Sequence, residues 1–88
     1  MSIQEDVVKQ RLLEEAGYRY SIKRMAFINR TTKKIFSIEA LRDHSEEWVR
    51  EKVRERTDGD WRFYFNEVPS PAIRREYVAE LDGQHAIR

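Results

Sequence analysis

A run of basic residues interleaved with aromatic ones has the clearest chemical potential in this sequence. The stretch between Glu15 and Glu39 contains no acidic residue. It carries six cations, Arg19, Lys23, Arg24, Arg30, Lys33 and Lys34, and four aromatic residues, Tyr18, Tyr20, Phe27 and Phe36. Such a segment can neutralise phosphates while its exposed rings stack on unpaired bases. We therefore define a candidate binding surface that consists of the six cations with Tyr18 and Tyr20.

The same segment has a simpler interpretation, in which its aromatic side chains face the core and its cations lie in solvent. Acidic partners for them are abundant elsewhere: Glu14, Glu15, Glu46, Glu47, Glu51 and Glu55. With a net charge of only +1, the chain has no overall attraction to nucleic acid. The sequence favours this interpretation, which includes a surface that binds protein, and leaves RNA or DNA binding as the alternative.

A second cluster, Glu39, Asp43 and His44, follows the basic segment. On a helix the two carboxylates would lie one turn apart, where they could raise the pKa of the histidine and orient it as a general base. A metal site needs three or four ligands, and only His85 remains to complete one. We expect instead that Asp43 and Ser45 cap the following helix and that His44 packs near Trp48.

Motifs for other chemistry are missing from the sequence. It has no cysteine, and therefore no disulfide, thiolate metal site or cysteine nucleophile. It has no Gly-x-Ser-x-Gly motif, and its three glycines are isolated, so no glycine-rich phosphate loop is present. We predict no catalytic residue, no metal and no cofactor. A small metal-independent ribonuclease that uses His44 and the basic surface is the weakest alternative.

The segment Trp61-Arg62-Phe63-Tyr64-Phe65 offers a second candidate binding surface. If the odd-numbered positions face the core, Arg62 and Tyr64 share the opposite face as an exposed pair of the kind enriched in interfaces. If helices cover that face as well, Tyr64 belongs to the core. The sequence leaves both alternatives open.

The first of the elements that position these residues is a helix from about Ile3 to Ala16. Ser2 and Glu5 have the spacing of a capping box at its start, and Gly17 ends it. Its predicted inward residues are Ile3, Val7, Val8, Leu12, Leu13 and Ala16. A β-hairpin follows, with a polar turn over 29–33. One residue near Lys23-Arg24 breaks its alternation, which indicates a bulge or a turn there.

The second half of the chain predicts helix, strand and helix. Ser37 and Ser45 are N-cap candidates, so 38–56 forms one helix or two that meet near Ser45. A strand over 61–65 ends before Pro69. Ser70-Pro71 opens a last helix, which Gly83 ends, and 84–88 is a frayed tail. The predicted inward residues of this helix are Ile73, Tyr77, Val78 and Leu81.

These elements predict one compact domain over 1–88, because 88 residues divided in two would leave neither half a sufficient core. The fold class is α+β: helix–β-hairpin–helix–strand–helix, with a small antiparallel three-stranded sheet packed by helices. No apolar run could span a bilayer and no secretion signal is present, so we expect a cytoplasmic protein with no membrane contact. Its predicted function is a non-catalytic protein-interaction module that binds a protein partner or itself as a homodimer.

Overall fold

In the computed structural model, which describes residues 3–67 and 69–83, one sheet separates two helical layers. In chain order the elements are α1 (Ile3–Glu15), β1 (Arg19–Ser21), β2 (Ala26–Asn29), β3 (Lys34–Ser37), α2 (Ile38–Asp43), α3 (Glu46–Arg54), β4 (Arg62–Tyr64) and α4 (Pro71–Gly83). The sheet order is β1-β2-β3-β4. The α+β class is confirmed. The sheet, however, has four strands and is mixed, where three antiparallel strands were predicted. The capping residue Ser2 and the tail 84–88 lie outside the described residues.

The additional strand arises from the break in alternation near Lys23-Arg24, which is a turn. Residues 22–25 connect β1 to β2, and residues 30–33 connect β2 to β3, so the segment forms two antiparallel hairpins. Each loop has its last residue at positive φ, Met25 at 53° and Lys33 at 60°. The Asn29 Oδ1 atom accepts hydrogen bonds from the backbone N–H groups of Thr31 and Thr32, which closes the second loop.

The direction of β4 differs from the prediction because of the chain that precedes it. β4 pairs with β3 in parallel, with Ile35 opposite Phe63 and Phe36 opposite Tyr64. Between them the chain passes through α2 and α3, and a helical crossover of this length returns the chain to the end of the sheet at which β3 began. The alternation over 61–65 indicated a strand but carried no information about its direction.

Serine caps set the helix boundaries, as the sequence predicted. The Oγ atoms of Ser37 and Ser45 accept hydrogen bonds from the N–H groups of Ala40 and Trp48, each at 3.1 Å, so 38–54 forms two helices. The Ser70 Oγ atom accepts from the Ile73 N–H at 3.3 Å at the start of α4.

The two faces of the sheet form separate cores. On one face, under α1, α2 and α3, the buried residues are Leu13, Tyr18, Phe27, Phe36, Leu41 and Val49. On the other face, under α4, they are Ala26, Ile28, Ile35, Trp61 and Leu81. The strand register aligns Tyr20, Phe27, Phe36 and Tyr64 across all four strands, which gives the first face a continuous row of aromatic side chains.

Several residues predicted to point inward are exposed. Val7 and Val8 of α1 are 47% and 41% exposed, Ala16 is exposed, and Ile73 of α4 is 47% exposed. The buried side of α1 is instead centred on Lys9 and Leu13. Leu13 was predicted to point inward and is buried, but apolar periodicity did not identify Lys9, because a lysine is ordinarily assigned to solvent.

The buried polar residues of the described chain have the same structural role. Lys9, Asn29 and Lys34 are 2%, 6% and 1% exposed, and each donates to the carboxyl end of a helix on the first face. Asn29 Nδ2 donates to Ala16 O at 3.2 Å, just beyond the end of α1. Lys9 Nζ donates to the carbonyl oxygens of Leu41 and His44 at the end of α2, at 2.6 and 2.5 Å.

Lys34 does the same for α3. Its Nζ atom donates to Lys52 O at 2.7 Å and Val53 O at 2.8 Å. The last carbonyl groups of a helix have no partner within it, and they carry the negative end of the helix dipole. A buried ammonium satisfies both needs, although removal from solvent lowers the pKa of Lys34, an effect that the nearby Glu55 carboxylate partly offsets.

We expect the substitution Lys34→Met to destabilise the fold by about 2 kcal/mol, because it leaves the terminal carbonyl groups of α3 without a donor. Lys23→Met is the control, since the Lys23 side chain is 75% exposed and its ion pair contributes little. Urea unfolding of both variants measures the difference. A Lys34→Met variant as stable as the wild type would show that the cost of burying the charge equals the gain from its hydrogen bonds.

Candidate functional site

A cleft beside β1 brings together three of the six predicted cations. It has a volume of about 470 Å³, and Arg19, Arg24 and Arg30 line it together with Tyr20. The cleft follows β2 from the loop before this strand to the loop after it. Its opposite wall comes from Glu80 and Leu81, near the end of α4.

Contacts with α4 hold two of these arginines. The guanidinium of Arg24 forms an ion pair with Glu80 and lies 4.4 Å from the centre of the Tyr77 ring. Lys23 Nζ reaches the other oxygen of Glu80 at 3.3 Å. Arg30 Nε donates to the carbonyl oxygen of Leu81 at 3.4 Å. The loops at both ends of β2 are thereby joined to the last turns of α4.

The charges within the cleft do not balance. Its lining has three guanidinium groups, of Arg19, Arg24 and Arg30, and one carboxylate, of Glu80, which leaves an excess of two positive charges. The hydrogen bond from Arg24 lowers the pKa of Glu80 and Lys23 adds to the shift, so this carboxylate stays ionised at neutral pH. The cleft therefore suits an anion.

The other members of the predicted surface lie elsewhere. Lys33 belongs to the loop after β2 but not to the cleft lining. Lys34 and Tyr18 are 1% and 3% exposed and are not accessible to a ligand. The reason for Lys34 is its hydrogen bonds to the end of α3, and the reason for Tyr18 is its packing against Phe36, at 5.4 Å between ring centres.

The Arg62 and Tyr64 pair does not form an exposed anchor. Helices cover this face of the sheet, and Tyr64 stacks on Phe36 with ring centres 4.6 Å apart. Its hydroxyl donates to Glu55 Oε1 at 2.9 Å, and burial together with this bond raises the pKa of Tyr64. Arg62 is exposed. Of the two alternatives for Tyr64, the one in which it belongs to the core holds.

The cluster Glu39, Asp43 and His44 has structural partners. The His44 ring stacks on Trp48 with centres 3.9 Å apart, and Asp43 Oδ2 accepts a hydrogen bond from Asn66 Nδ2 at 2.5 Å. Ser45 rather than Asp43 provides the cap of α3. Within residues 3–67 and 69–83, no group of three or more histidine and acidic side chains is placed to hold a metal ion. His85 lies outside these residues.

The sequence interpretation identified Tyr20 but missed the two exposed apolar side chains beside it on the first hairpin, those of Ile22 and Met25. Ile22 is 82% exposed, Met25 57% and Tyr20 43%. All three lie on β1 or in the loop that follows it, and β1 is an edge strand. The break in alternation near Lys23-Arg24 was the available indication, because a turn there removes Ile22 and Met25 from the sheet.

Comparison with known proteins adds no relative: no family model, curated protein or solved structure matches this chain. Over the part of the chain that the structure describes, no helix combines the length and apolar character needed to cross a membrane. The candidate site consequently rests on its own geometry.

We expect Glu80→Gln to destabilise the fold at neutral pH by about 1 kcal/mol at most, because a partly exposed ion pair contributes little. The pKa of Glu80 is lower in the folded chain than the ordinary 4.5. Its contribution is therefore complete above that pH and is lost as the pH falls below it. The difference in unfolding free energy between wild type and variant should shrink from pH 7 to pH 3, and at pH 7 it should exceed the difference for the exposed control Glu51→Gln. An equal difference at both pH values would contradict the assignment.

At alkaline pH we expect Tyr18 to give the free energy of unfolding the opposite dependence on pH. Burial raises its pKa from 10.0 to about 12, and the Thr32 side chain opposes this weakly. Between these values the unfolded chain releases the phenol proton while the folded chain retains it, so stability falls as the pH rises. Tyr18→Phe should lose less stability than wild type over this interval, by urea unfolding at about pH 8 and pH 11. Parallel losses in the two proteins would show that Tyr18 does not titrate with unfolding.

Proposed function

We propose that this chain is a non-catalytic protein-interaction module that associates with a second copy of itself through β1. One observation carries the proposal: among the described residues the two most exposed large apolar side chains, Ile22 and Met25, lie in the loop that follows an open edge strand. The outer backbone groups of such a strand have no partner within the sheet, and they can pair with a strand of another chain.

The other regions are less suited to pairing. β4 forms the opposite edge of the sheet, but none of the exposed large apolar residues in the described chain lies on it. Val7 and Val8 lie on α1 and Ile73 lies on α4, where no strand edge accompanies them. Within residues 3–67 and 69–83, the β1 side alone combines exposed large apolar side chains with unpaired strand backbone.

The sequence of β1 is suited to pairing with β1 of a second copy of the chain. Antiparallel pairing about a two-fold axis at Tyr20 places Tyr20 opposite its equivalent and Arg19 opposite Ser21, so the two arginines do not oppose each other. The aromatic row that ends in Tyr20 would continue into the second sheet, where aromatic pairs add to the stabilisation. A net charge of +1 per chain gives little repulsion between the copies.

The two alternative functions have less support. For RNA or DNA binding by the basic hairpin, the Lys34 ammonium and the Tyr18 ring are not accessible to a nucleic acid, because both are buried. A ribonuclease would need His44 near the arginines, but the His44 ring stacks on Trp48 and does not line the cleft. The cytoplasmic location stays a prediction.

Self-association can be measured by sedimentation velocity from micromolar to millimolar concentration. We expect the dimer fraction of the wild type to rise with concentration, and Ile22→Asp to raise the dissociation constant at least tenfold, since it places a carboxylate in an apolar contact. Ile73→Asp is the matched control and should leave the constant unchanged, because Ile73 is 47% exposed on α4. A strictly monomeric wild type, or equal effects of the two variants, would contradict the proposal.

Cysteine cross-linking tests the register of the same interface, because the chain has no cysteine of its own. Directly opposite residues in an antiparallel pair lie close enough for a disulfide. Under mild oxidation Tyr20→Cys should form a covalent dimer much faster than Ala72→Cys, whose position on α4 is also exposed. Equal rates would exclude pairing about Tyr20.

A further inference from the structure

We propose that the arginine-lined cleft binds a small phosphate ester, with Arg19 and Arg30 as the principal ligands of the phosphate. The cleft shares Arg19, Tyr20 and Ser21 of β1 with the proposed contact between copies, but a single chain supplies its whole lining, so the site would function in the monomer. Its volume of about 470 Å³ lies within the ordinary range for small-molecule pockets. A phosphate group alone would leave much of this space empty, so the cleft fits a phosphate that carries an organic group.

The charge of the cleft selects the class of ligand. Three guanidinium groups and one carboxylate leave an excess of two positive charges. A phosphate monoester carries close to two negative charges at neutral pH, whereas a single carboxylate carries one. Guanidinium groups also present paired N–H donors that match the geometry of phosphate oxygens.

Arg19 and Arg30 are the arginines available for this role. Both are exposed, and neither forms an ion pair with a described carboxylate. The bond from Arg30 Nε to Leu81 O orients the side chain, and its terminal nitrogens make no hydrogen bond to a described residue. Arg24 differs, because its ion pair with Glu80 already occupies it.

The remaining lining fits the rest of such a ligand. Ser21 and Thr31 contribute hydroxyl groups, and Ser21 Oγ accepts from the Arg24 N–H, so its own proton is available to a ligand. Ile28 and Leu81 supply an apolar wall on the face of the sheet under α4. The phosphate would lie between Arg19 and Arg30, away from the Glu80 carboxylate, and the organic group against Ile28 and Leu81.

The experiment is a titration of the ¹⁵N-labelled full chain with ribose 5-phosphate, followed by NMR. We expect shifts at the Thr31 amide and at the Nε–H groups of Arg19 and Arg30, and no shifts with ribose alone. Arg19→Gln and Arg30→Gln should each weaken binding about tenfold, because each removes charge-assisted hydrogen bonds. Lys33→Gln is the control, since Lys33 lies in the same loop as Arg30 but outside the cleft.

Glu80→Gln should strengthen binding severalfold, because it raises the excess in the cleft from two positive charges to three. A merely structural role for Glu80 would weaken binding or leave it unchanged. The Ile22→Asp variant should bind ribose 5-phosphate like the wild type, so a failure of self-association and a failure of this proposal are distinguishable.

Three outcomes would overturn the proposal. The first is no shift at millimolar ribose 5-phosphate. The second is equal weakening by Arg19→Gln and Lys33→Gln, which would indicate general attraction to a positive surface. The third is tight, salt-sensitive binding of single-stranded RNA without binding of the sugar phosphate, which would identify the cleft as part of a nucleic-acid surface.

Discussion

Three helices end against the same face of the sheet, and at each end a buried side chain donates to carbonyl groups that the helix itself cannot satisfy. Asn29 serves the end of α1, Lys9 the end of α2 and Lys34 the end of α3. Two of these donors belong to the sheet, and Lys9 links one helix to the next. Together they tie the ends of the helices to the strands and to one another above the aromatic row. An apolar side chain at any of these sites would add burial but leave the carbonyl groups without partners.

The two faces of the sheet therefore differ in how they are closed. On the first face the buried polar contacts lie at the ends of the three helices, beside the aromatic row. The second face is covered by α4 alone, and its polar contacts lie along the periphery, where Trp61 Nε1 donates to Asp82 at 3.0 Å and Arg74 donates to Trp61 O at 3.2 Å. One helix does not cover a four-stranded sheet. The space left between the end of α4 and the β1 side is the arginine-lined cleft.

The basic segment between Glu15 and Glu39 serves more than one purpose in this arrangement. Lys34 lies inside the fold, Lys23 and Arg24 hold α4 through Glu80, and Arg19 and Arg30 face the cleft. Because the stretch itself contains no acidic residue, the carboxylate that pairs with Lys23 and Arg24 comes from α4, and Arg19 and Arg30 keep their charge free for the cleft. The apolar tip at Ile22 and Met25 is independent of these charges, which is why two separate binding proposals arise from one hairpin.

By itself the sequence determined the features that depend on neighbouring residues. Ser37, Ser45 and Ser70 set the starts of helices. The break in alternation at Lys23-Arg24 indicated a bulge or a turn, and the alternation over 61–65 indicated a strand. Together these features were sufficient to predict the α+β class. Caps, turns and periodicity act over a few residues, so they can be read locally. Only the tertiary structure decided the parallel direction of β4, the burial of Lys9 and Lys34, the exposure of Val7 and Val8, and the assembly of the cleft. Each of these depends on contacts between residues far apart in the chain. The burial of Lys34 depends on the carbonyl groups of Lys52 and Val53, 18 and 19 residues later, and no property of residues 33–36 contains that information.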